Sequence, residues 1–313
     1  MPGKKRSPQP SKPAAKQMKA LSRRGPHRVL AGSLGIVGIE GRVFAPAEGK
    51  SVPALAFGHA WLCGGSRYRD LVYHLASWGF VVAVPDGQRG LMPSDAGLAA
   101  QMRSALSVVC HAPLGTGDIS VDESRVGFVG HGFGAAAAVI AASDQLIAGQ
   151  DPVRTAGVGA IFPAPTTDLL PRAAATVTAP GLILAAGTEL DTFDANARRL
   201  TESYGGDVVL RTLPPATSRG LLERPTWKSV FGVNGADKTT HQQVRALLTG
   251  FLLTTVAGDK EYAGFVDPAE TIGKTVVVDA SEKRDDELDH ISRLLGAKPK
   301  GQRGRIARAI PVP

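Results

Sequence analysis

Short apolar runs alternate with segments of helical apolar spacing through the middle of the chain. Six runs between turn residues have the even hydrophobicity of strands buried on both faces: residues 53–58, 80–86, 124–130, 156–163, 181–187 and 207–213. Five segments have helical length and spacing: residues 68–78, 98–111, 133–142, 193–204 and 239–256. This alternation predicts an α/β fold in which helices flank a mostly parallel twisted sheet with right-handed crossovers.

The sequence predicts a single α/β domain over residues 29–268, which begins with an antiparallel strand pair at residues 29–36 and 41–46. Residues 1–28 are rich in Lys, Pro, Ser and Ala and have few large apolar side chains, so we expect a disordered basic tail. Residues 269–313 are expected to form a C-terminal extension, with a short amphipathic helix at 285–295 that docks on the domain and a basic end.

The positive charge of the chain is concentrated at its two ends. Residues 1–28 hold nine Lys or Arg and residues 293–313 hold six, both without an acidic residue, although the net charge of the whole chain is only +8. The remaining residues therefore carry a net charge of −7. Basic arms of this kind attract anionic partners, which are acidic proteins, anionic lipid or non-specifically bound nucleic acid, and a purely solubilising role is the alternative.

Several classes of protein are disfavoured by what the sequence contains. Cys63 and Cys110 are too few for a disulfide framework and lack the spacing of a zinc site, so we expect no metal and no cofactor, and a reducing, cytoplasmic setting is allowed. The apolar runs are shorter than the roughly 18 residues that a transmembrane helix requires. We therefore expect a cytoplasmic protein without a transmembrane segment.

Residues 125–138 have the layout of a nucleophile elbow, in which a strand, a glycine-framed turn and a small-residue helix follow one another. In the pattern G-x-S-x-G the central serine is the nucleophile. The central residue here is Gly132, between Gly130 and Gly134, so this position lacks a hydroxyl group.

Functional groups of a parallel sheet gather at the carboxyl ends of its strands, and three further strand ends bear on a hydrolase site. After the first strand, residues 57–61 offer a backbone N–H for an oxyanion. After the strand at 181–187, Asp191 is the candidate acid that orients a catalytic histidine. After the last strand, where that histidine is required, the residue is Ser218.

The chain resembles the polyester hydrolase, lipase and cutinase family of the α/β-hydrolase fold, which is known from actinobacteria, from about Arg24 to Pro268. The matching segments lie in the same order as in that family: residues 24–26, 75–82, 122–131, 189–192, 237–239 and 259–265. The paired terminal cysteines of the secreted family members and their substrate-stacking tryptophan are missing.

The resemblance assigns roles to five positions. It places His59 at the aromatic of the oxyanion hole, Phe133 at the hole residue after the nucleophile and Asp191 at the triad acid. It places Gly132 at the serine and Ser218 at the histidine, so two of three triad members are absent.

Further positions are candidates for binding. His59, Trp61, His131 and Phe133 are the residues that we expect to bind a small apolar ligand in the cleft. His59 is expected at the cleft mouth, where a pair with Asp191 is one reading and a lone surface histidine is the other. His131 is expected to pack beneath the turn.

These losses predict a pseudoenzyme, because removing triad members removes most of the rate acceleration. The first reading is a catalytically degenerate hydrolase that acts as a binding or scaffold protein, with basic tails that contact an anionic partner. The alternative is an enzyme with a rebuilt site, a carboxylic ester hydrolase or a lyase, that uses His59, Asp191 or a bound water. Cys63 is a candidate for a displaced thiol nucleophile, although an ordinary buried thiol is the favoured reading. In a third reading the tails carry the function and the domain is a passive anchor.

Overall fold

The structure is a computed structural model that describes residues 14–187, 190–192, 195–223, 237–273 and 275–278. The chain divides into two compact units, Met1–Val278 and Asp279–Pro313. The second unit lies outside the described residues. The helix expected at 285–295 and the basic C-terminal end belong to that unit and are therefore outside the described residues. Residues 1–13 of the first unit are also outside the described residues.

A nine-stranded sheet forms the centre of the described domain, in the order β1-β2-β4-β3-β5-β6-β7-β10-β11. The six strands from β4 to β10 in that order run parallel, whereas β1, β2 and β4 pair antiparallel in succession, as do β10 and β11. The strands are β1 (Val29–Ser33), β2 (Gly41–Pro46), β3 (Gly49–Gly58), β4 (Val81–Pro85), β5 (Ile119–His131), β6 (Gly157–Ile161), β7 (Gly181–Ala186), β10 (Val208–Leu213) and β11 (Val276–Val277). A separate two-stranded pair, β8 (Asp191–Thr192) and β9 (Ala195–Asn196), follows β7.

Seven α-helices connect or flank these strands within the described ranges. They are α1 (Ala14–Leu21), α2 (Arg69–Ser77), α3 (Asp95–His111), α4 (Phe133–Ala142), α5 (Leu169–Ala174), α6 (Ala197–Ser203) and α7 (Lys238–Thr255). The predicted α/β class, the parallel sheet and the antiparallel pair at its start are confirmed. The helix predicted at 193–204 begins only at Ala197, after the short β8–β9 pair.

Two apolar cores lie on the two faces of the sheet. Helices α3, α4, α5 and α6 cover one face, and α1, α2 and α7 cover the other. The central strands are buried on both faces, since every residue of β4 and β6 is buried. This double burial explains why their sequences are apolar throughout rather than alternating.

Helix α1 corrects the expectation that residues 1–28 are a disordered tail, which is wrong for residues 14–28. Ala14, Gln17 and Leu21 are buried, and Gln17 Nε2 donates to Glu261 O at 2.9 Å. These side chains recur at helical spacing, so one face of a helix packs on the domain although the composition is basic. The predicted end of the domain at residue 268 is also too early, because the strand Val276–Val277 pairs with β10 in the sheet.

A buried arginine fixes the helix that follows β5. Arg103 on α3 is 2% exposed and donates to the carbonyl oxygens of Ala141, Ser143, Gln145, Gln150 and Asp151. Carbonyl groups at the end of a helix lack intrahelical partners, and one guanidinium supplies donors to two of them and to the following loop. The C-terminal end of α4 is therefore tied to α3.

We predict that Arg103→Met lowers the free energy of unfolding by about 3 kcal/mol, because buried carbonyl groups lose charged donors. Arg154 is exposed, so Arg154→Met serves as the matched control. We expect it to change the free energy of unfolding by less than about 0.5 kcal/mol. Urea denaturation measures both. Equal effects of the two substitutions contradict the assigned role.

Candidate functional site

The turn between β5 and α4 has the shape that its sequence predicts. Gly132 has φ 58° and ψ −117°, and α4 starts at the next residue, Phe133. A Cβ at Gly130 would overlap Gly134 O, and a Cβ at Gly134 would overlap Gly58 O. The two flanking glycines are therefore required by close backbone packing, as the elbow pattern implies.

The central position of the turn has room for a small side chain. A Cβ built on Gly132 lies 3.3 Å from Ala60 Cβ, which is tight, and its next neighbour, Ala60 Cα, is at 3.9 Å. Gly132 N–H donates to Ile161 O at 2.9 Å, so the backbone of the turn is held by β6. The turn is thus formed and anchored without a nucleophilic atom at its centre.

His131 beside this glycine is buried and hydrogen-bonded at both ring nitrogens. Its Nε2 lies 2.8 Å from Ser218 O, and its Nδ1 lies 2.7 Å from the hydroxyl of Tyr68. Because a carbonyl only accepts, Nε2 carries the proton and Nδ1 accepts from Tyr68. The Tyr68 hydroxyl in turn accepts from Ala60 N–H at 3.1 Å. Three strand ends, those of β3, β5 and β10, are linked through this ring.

The environment keeps the His131 ring neutral. Burial lowers the pKa of His131 to about 4, and the hydrogen bond to Ser218 only partly opposes this effect. Burial likewise raises the pKa of the Tyr68 hydroxyl well above its usual range. Phe162 closes the other side, with its ring centroid 5.8 Å from that of His131. His131 therefore packs beneath the turn, as expected, and has no ring nitrogen free to accept a proton from a reactant.

Ser218 reaches the elbow through its backbone rather than its side chain. It begins a 3₁₀ segment, Ser218–Leu221, after β10, and the residue itself is exposed. The carboxyl end of β10 thus comes beside the turn, as predicted. Only its carbonyl oxygen takes part in the arrangement.

The structure describes Asp191 by its backbone alone. Asp191 pairs with Asn196 in the β8–β9 ladder and lies beyond the carboxyl end of β7. The predicted role of its carboxylate as a triad acid stays a prediction.

The two aromatic candidates lie in different surroundings. Phe133 is half-buried and packs against the core on the α3 and α4 face. Trp61 is half-exposed, and its indole Nε1 donates to Leu91 O at 3.2 Å. Only Phe133 is continuous with the elbow, since it begins α4.

The structure contradicts the reading of His59 as a lone surface histidine, because the residue is buried. Its pairing with Asp191 stays a prediction, since the side chain of Asp191 lies outside the described part of the structure. His59 is fully buried, its Nδ1 lies 3.1 Å from Ala60 O, and its Nε2 lies 3.8 Å from Asp86 Oδ1. That separation is longer than a hydrogen bond. Burial lowers the pKa of His59, and the nearby Asp86 partly opposes the effect.

Asp86 and Tyr68 belong to the site but were not singled out from the sequence. Asp86 follows β4, where it accepts from Gly65 N–H at 2.8 Å. Its place directly after a predicted buried strand was a usable signal. Tyr68 has no such signal, because only the fold brings residue 68 next to residue 131.

Glu223 anchors the loop that holds Tyr68. Its two carboxylate oxygens accept from Asp70 N–H at 2.8 Å and Leu71 N–H at 2.9 Å, which caps the start of α2. Burial raises the pKa of this carboxyl group to about 7, against the effect of the two hydrogen bonds. Both oxygens are occupied, so we assign Glu223 a structural role.

We predict that Gly130→Ala destabilises the protein by about 3 kcal/mol or more, since the new methyl group meets backbone that has to move. Gly132→Ala should cost only about 1 to 2 kcal/mol, because its positive φ is strained for alanine while its surroundings have room. Thermal or urea unfolding of the two variants gives the comparison. The reverse ranking is incompatible with the turn as described.

The low pKa of His131 predicts a pH dependence of stability. The unfolded chain binds a proton at this residue below about pH 6.5, whereas the folded protein does so only near pH 4. The contribution of His131 to the free energy of unfolding is therefore fully present above about pH 6.5. Up to about 3 kcal/mol of it is lost as the pH falls to 4. Urea denaturation between pH 4 and 7 should show a weaker slope for His131→Gln.

His74 supplies an internal reference for this measurement. Burial lowers the pKa of His74 to about 3, so this residue contributes to the slope in both proteins. The difference between the two slopes isolates His131. Identical slopes count against a neutral buried ring at that position.

In the described ranges, no group of three or more His, Cys, Asp or Glu side chains is placed to hold a metal ion. Among the helices described, none is long and apolar enough to cross a bilayer.

No protein-family model matches this chain. No curated protein matches it significantly either.

Proposed function

We propose that this chain is a catalytically silent member of the α/β-hydrolase fold that acts as a binding or scaffold protein. The observation that carries the proposal is the turn at Gly132, which has a nucleophile-elbow layout and a glycine at its centre. The parallel strand order β4-β3-β5-β6-β7-β10, with two antiparallel strands before it, supports the fold assignment.

The groups around the turn support the loss of acyl transfer. Gly132 has no atom that can form an acyl intermediate, and both ring nitrogens of His131 are engaged. Ser218 presents a carbonyl oxygen at this point, and a serine hydroxyl at its ordinary pKa is not a general base near neutrality. The nucleophile and the base of the ancestral mechanism are thus both missing.

A relocated thiol nucleophile is disfavoured by the surroundings of Cys63. The residue is half-buried, and burial raises the pKa of its thiol although Arg67 and Arg219 act in the opposite direction. Reactive cysteines have a lowered pKa, because the thiolate is the nucleophile. We expect Cys63 to stay protonated at neutral pH.

A rebuilt site on His59 has less support than the silent site. The ring is fully buried, and its free Nε2 faces Asp86 rather than the turn at Gly132. A general acid or base needs hydrogen-bond reach to a reactant. His59 lacks that reach in this arrangement.

In this proposal the N-terminal basic sequence supplies contact with an anionic partner, either an acidic protein or non-specifically bound nucleic acid. Exposed Lys16 and Lys19 lie on α1, whose opposite face is buried on the domain. Lys and Arg without base-reading groups give affinity that is independent of sequence and falls with salt. Helix α1 thereby joins the basic sequence to the folded domain.

Fluorophosphonate labelling and hydrolysis of short nitrophenyl esters test the loss of catalysis. We expect wild-type protein and Cys63→Ala to show neither labelling nor turnover above buffer. Gly132→Ser alone should also stay unlabelled, because it adds a hydroxyl without a free base.

The outcomes separate the competing functions. Labelling of the wild type that disappears in Cys63→Ala identifies a thiol nucleophile and overturns the proposal. Hydrolysis by the wild type that persists in Cys63→Ala and disappears in His59→Gln identifies the rebuilt site instead. Circular dichroism of each variant confirms that the fold is retained.

A further inference from the structure

Large apolar side chains are exposed mainly on one side of the sheet, where the parallel strands have their carboxyl ends. Among the described residues, eight large hydrophobic side chains are strongly exposed, and six of them lie on three neighbouring connections. Those six are Ile36, Val37, Trp61, Leu62, Leu91 and Met92. We call this surface the apolar edge. Apolar side chains scattered singly over a surface need no explanation, but a cluster on one side marks an interaction surface.

The sheet register shows that the three connections share an edge. Gly41 pairs with Pro85, so the β1–β2 connection lies at the carboxyl end of β4, next to the segment that leaves β4. Strand β3 runs parallel to β4, so the connection after β3 emerges on the same side. The turn at Gly132 follows the parallel β5 and lies at this edge too.

Hydrogen bonds and an ion pair link the three connections to one another. Asp86 N–H donates to Glu40 O at 2.8 Å, and Trp61 Nε1 donates to Leu91 O at 3.2 Å. Arg89 forms an ion pair with Glu40. The protruding side chains are thus held on fixed backbone, with Met92 96% and Ile36 88% exposed.

A small cavity with two arginines opens beside these connections. It has a volume of about 110 Å³ and lies between β2 and the start of α2, with Phe44 and Val84 as its apolar wall. Arg42, Arg69 and Ser66 contribute polar groups to it. Within the described part of the chain neither Arg42 nor Arg69 forms an ion pair, and the Arg42 guanidinium lies 5.6 Å from the Phe44 ring centroid.

The carboxylate that also lines the cavity has partners of its own. Asp86 Oδ1 accepts from Gly65 N–H at 2.8 Å and lies 3.8 Å from Arg89 Nε. Its charge is thus partly balanced from within the protein. The two arginines are left as the groups available for an anion.

We propose that the apolar edge docks on an anionic phospholipid bilayer. The exposed apolar side chains enter the interfacial region, where tryptophan in particular is favoured, and Arg42 and Arg69 bind lipid phosphate groups at the cavity. This proposal does not depend on the loss of catalysis, since the groups involved are separate from Gly132 and His131.

Two features favour a bilayer over a protein partner. The apolar side chains lie on three connections and are between 48% and 96% exposed, which suits insertion between lipid headgroups. The arginines beside them match phosphate charge, and the nine Lys or Arg of residues 1–28 add attraction to an anionic surface. Binding to the bilayer would place the sheet's carboxyl edge against the lipid.

Vesicle flotation with the full chain tests the proposal. We expect wild-type protein to bind vesicles of equal phosphatidylglycerol and phosphatidylcholine and to bind pure phosphatidylcholine much less. Leu91→Ser/Met92→Ser should weaken binding about twentyfold, because two apolar side chains no longer enter the interface. Arg42→Gln and Arg69→Gln should each weaken it about fivefold on the anionic vesicles.

Matched controls lie at the opposite edge of the sheet. Leu146, which is 67% exposed and follows α4, and Arg154, which precedes β6, are exposed there. Leu146→Ser and Arg154→Gln should leave vesicle binding unchanged. The fluorescence of Trp61 should shift to the blue on binding, and this shift should be lost in Trp61→Phe.

Three results overturn the proposal. Absence of binding to anionic vesicles does so directly. Binding that is unaffected by Leu91→Ser/Met92→Ser and by the arginine substitutions assigns lipid attraction to the basic sequence alone. Self-association that these substitutions abolish, measured by analytical ultracentrifugation without lipid, assigns the edge to a second copy of the chain.

Discussion

The hydrogen bonds of the buried His131 ring hold the candidate site together. Tyr68 donates to one nitrogen, and the other donates to Ser218 O, while Ala60 N–H donates to the same Tyr68 hydroxyl. Ala60 and Tyr68 lie between β3 and α2, His131 ends β5 and Ser218 follows β10, so the network joins three segments that are distant in sequence. A buried network of this kind stabilises only when each polar member is satisfied, and here each named atom has a partner.

The same network determines the chemistry of the turn. An imidazole next to a strand-to-helix turn suggests a catalytic base, but a base needs a nitrogen free to accept a proton. In this protein both nitrogens hold the architecture in place, and burial keeps the ring neutral. The turn therefore has the backbone layout of a nucleophile elbow, while the polar groups around it serve structure.

The carboxyl edge of the sheet combines two different surfaces. At β5 it is closed around Gly132, Ala60 and His131. At β2, β3 and β4 it exposes apolar connections beside two arginines. Connections between strands tolerate change better than the strands that they join, so surfaces of different character can lie along one edge.

The sequence by itself determined the fold class and most of the strands. Apolar runs bounded by turn residues marked β3 to β7 and β10, since a strand buried on both faces has no reason to alternate. The elbow pattern also indicated that Gly130 and Gly134 flank a crowded turn. The structure agrees, because it leaves no room for a side chain at either position. The sequence also showed that Gly132 stands where the G-x-S-x-G pattern has a serine, so this position has no hydroxyl group.

Only the tertiary structure decided which polar groups meet. Tyr68 and His131 are 63 residues apart, and His59 and Asp86 follow two neighbouring parallel strands, so no local spacing reveals their distances. Composition also misjudged α1, because a few side chains at helical spacing suffice when a neighbouring surface covers them. Secondary structure follows from local patterns, but burial and hydrogen-bond partners depend on how the elements pack.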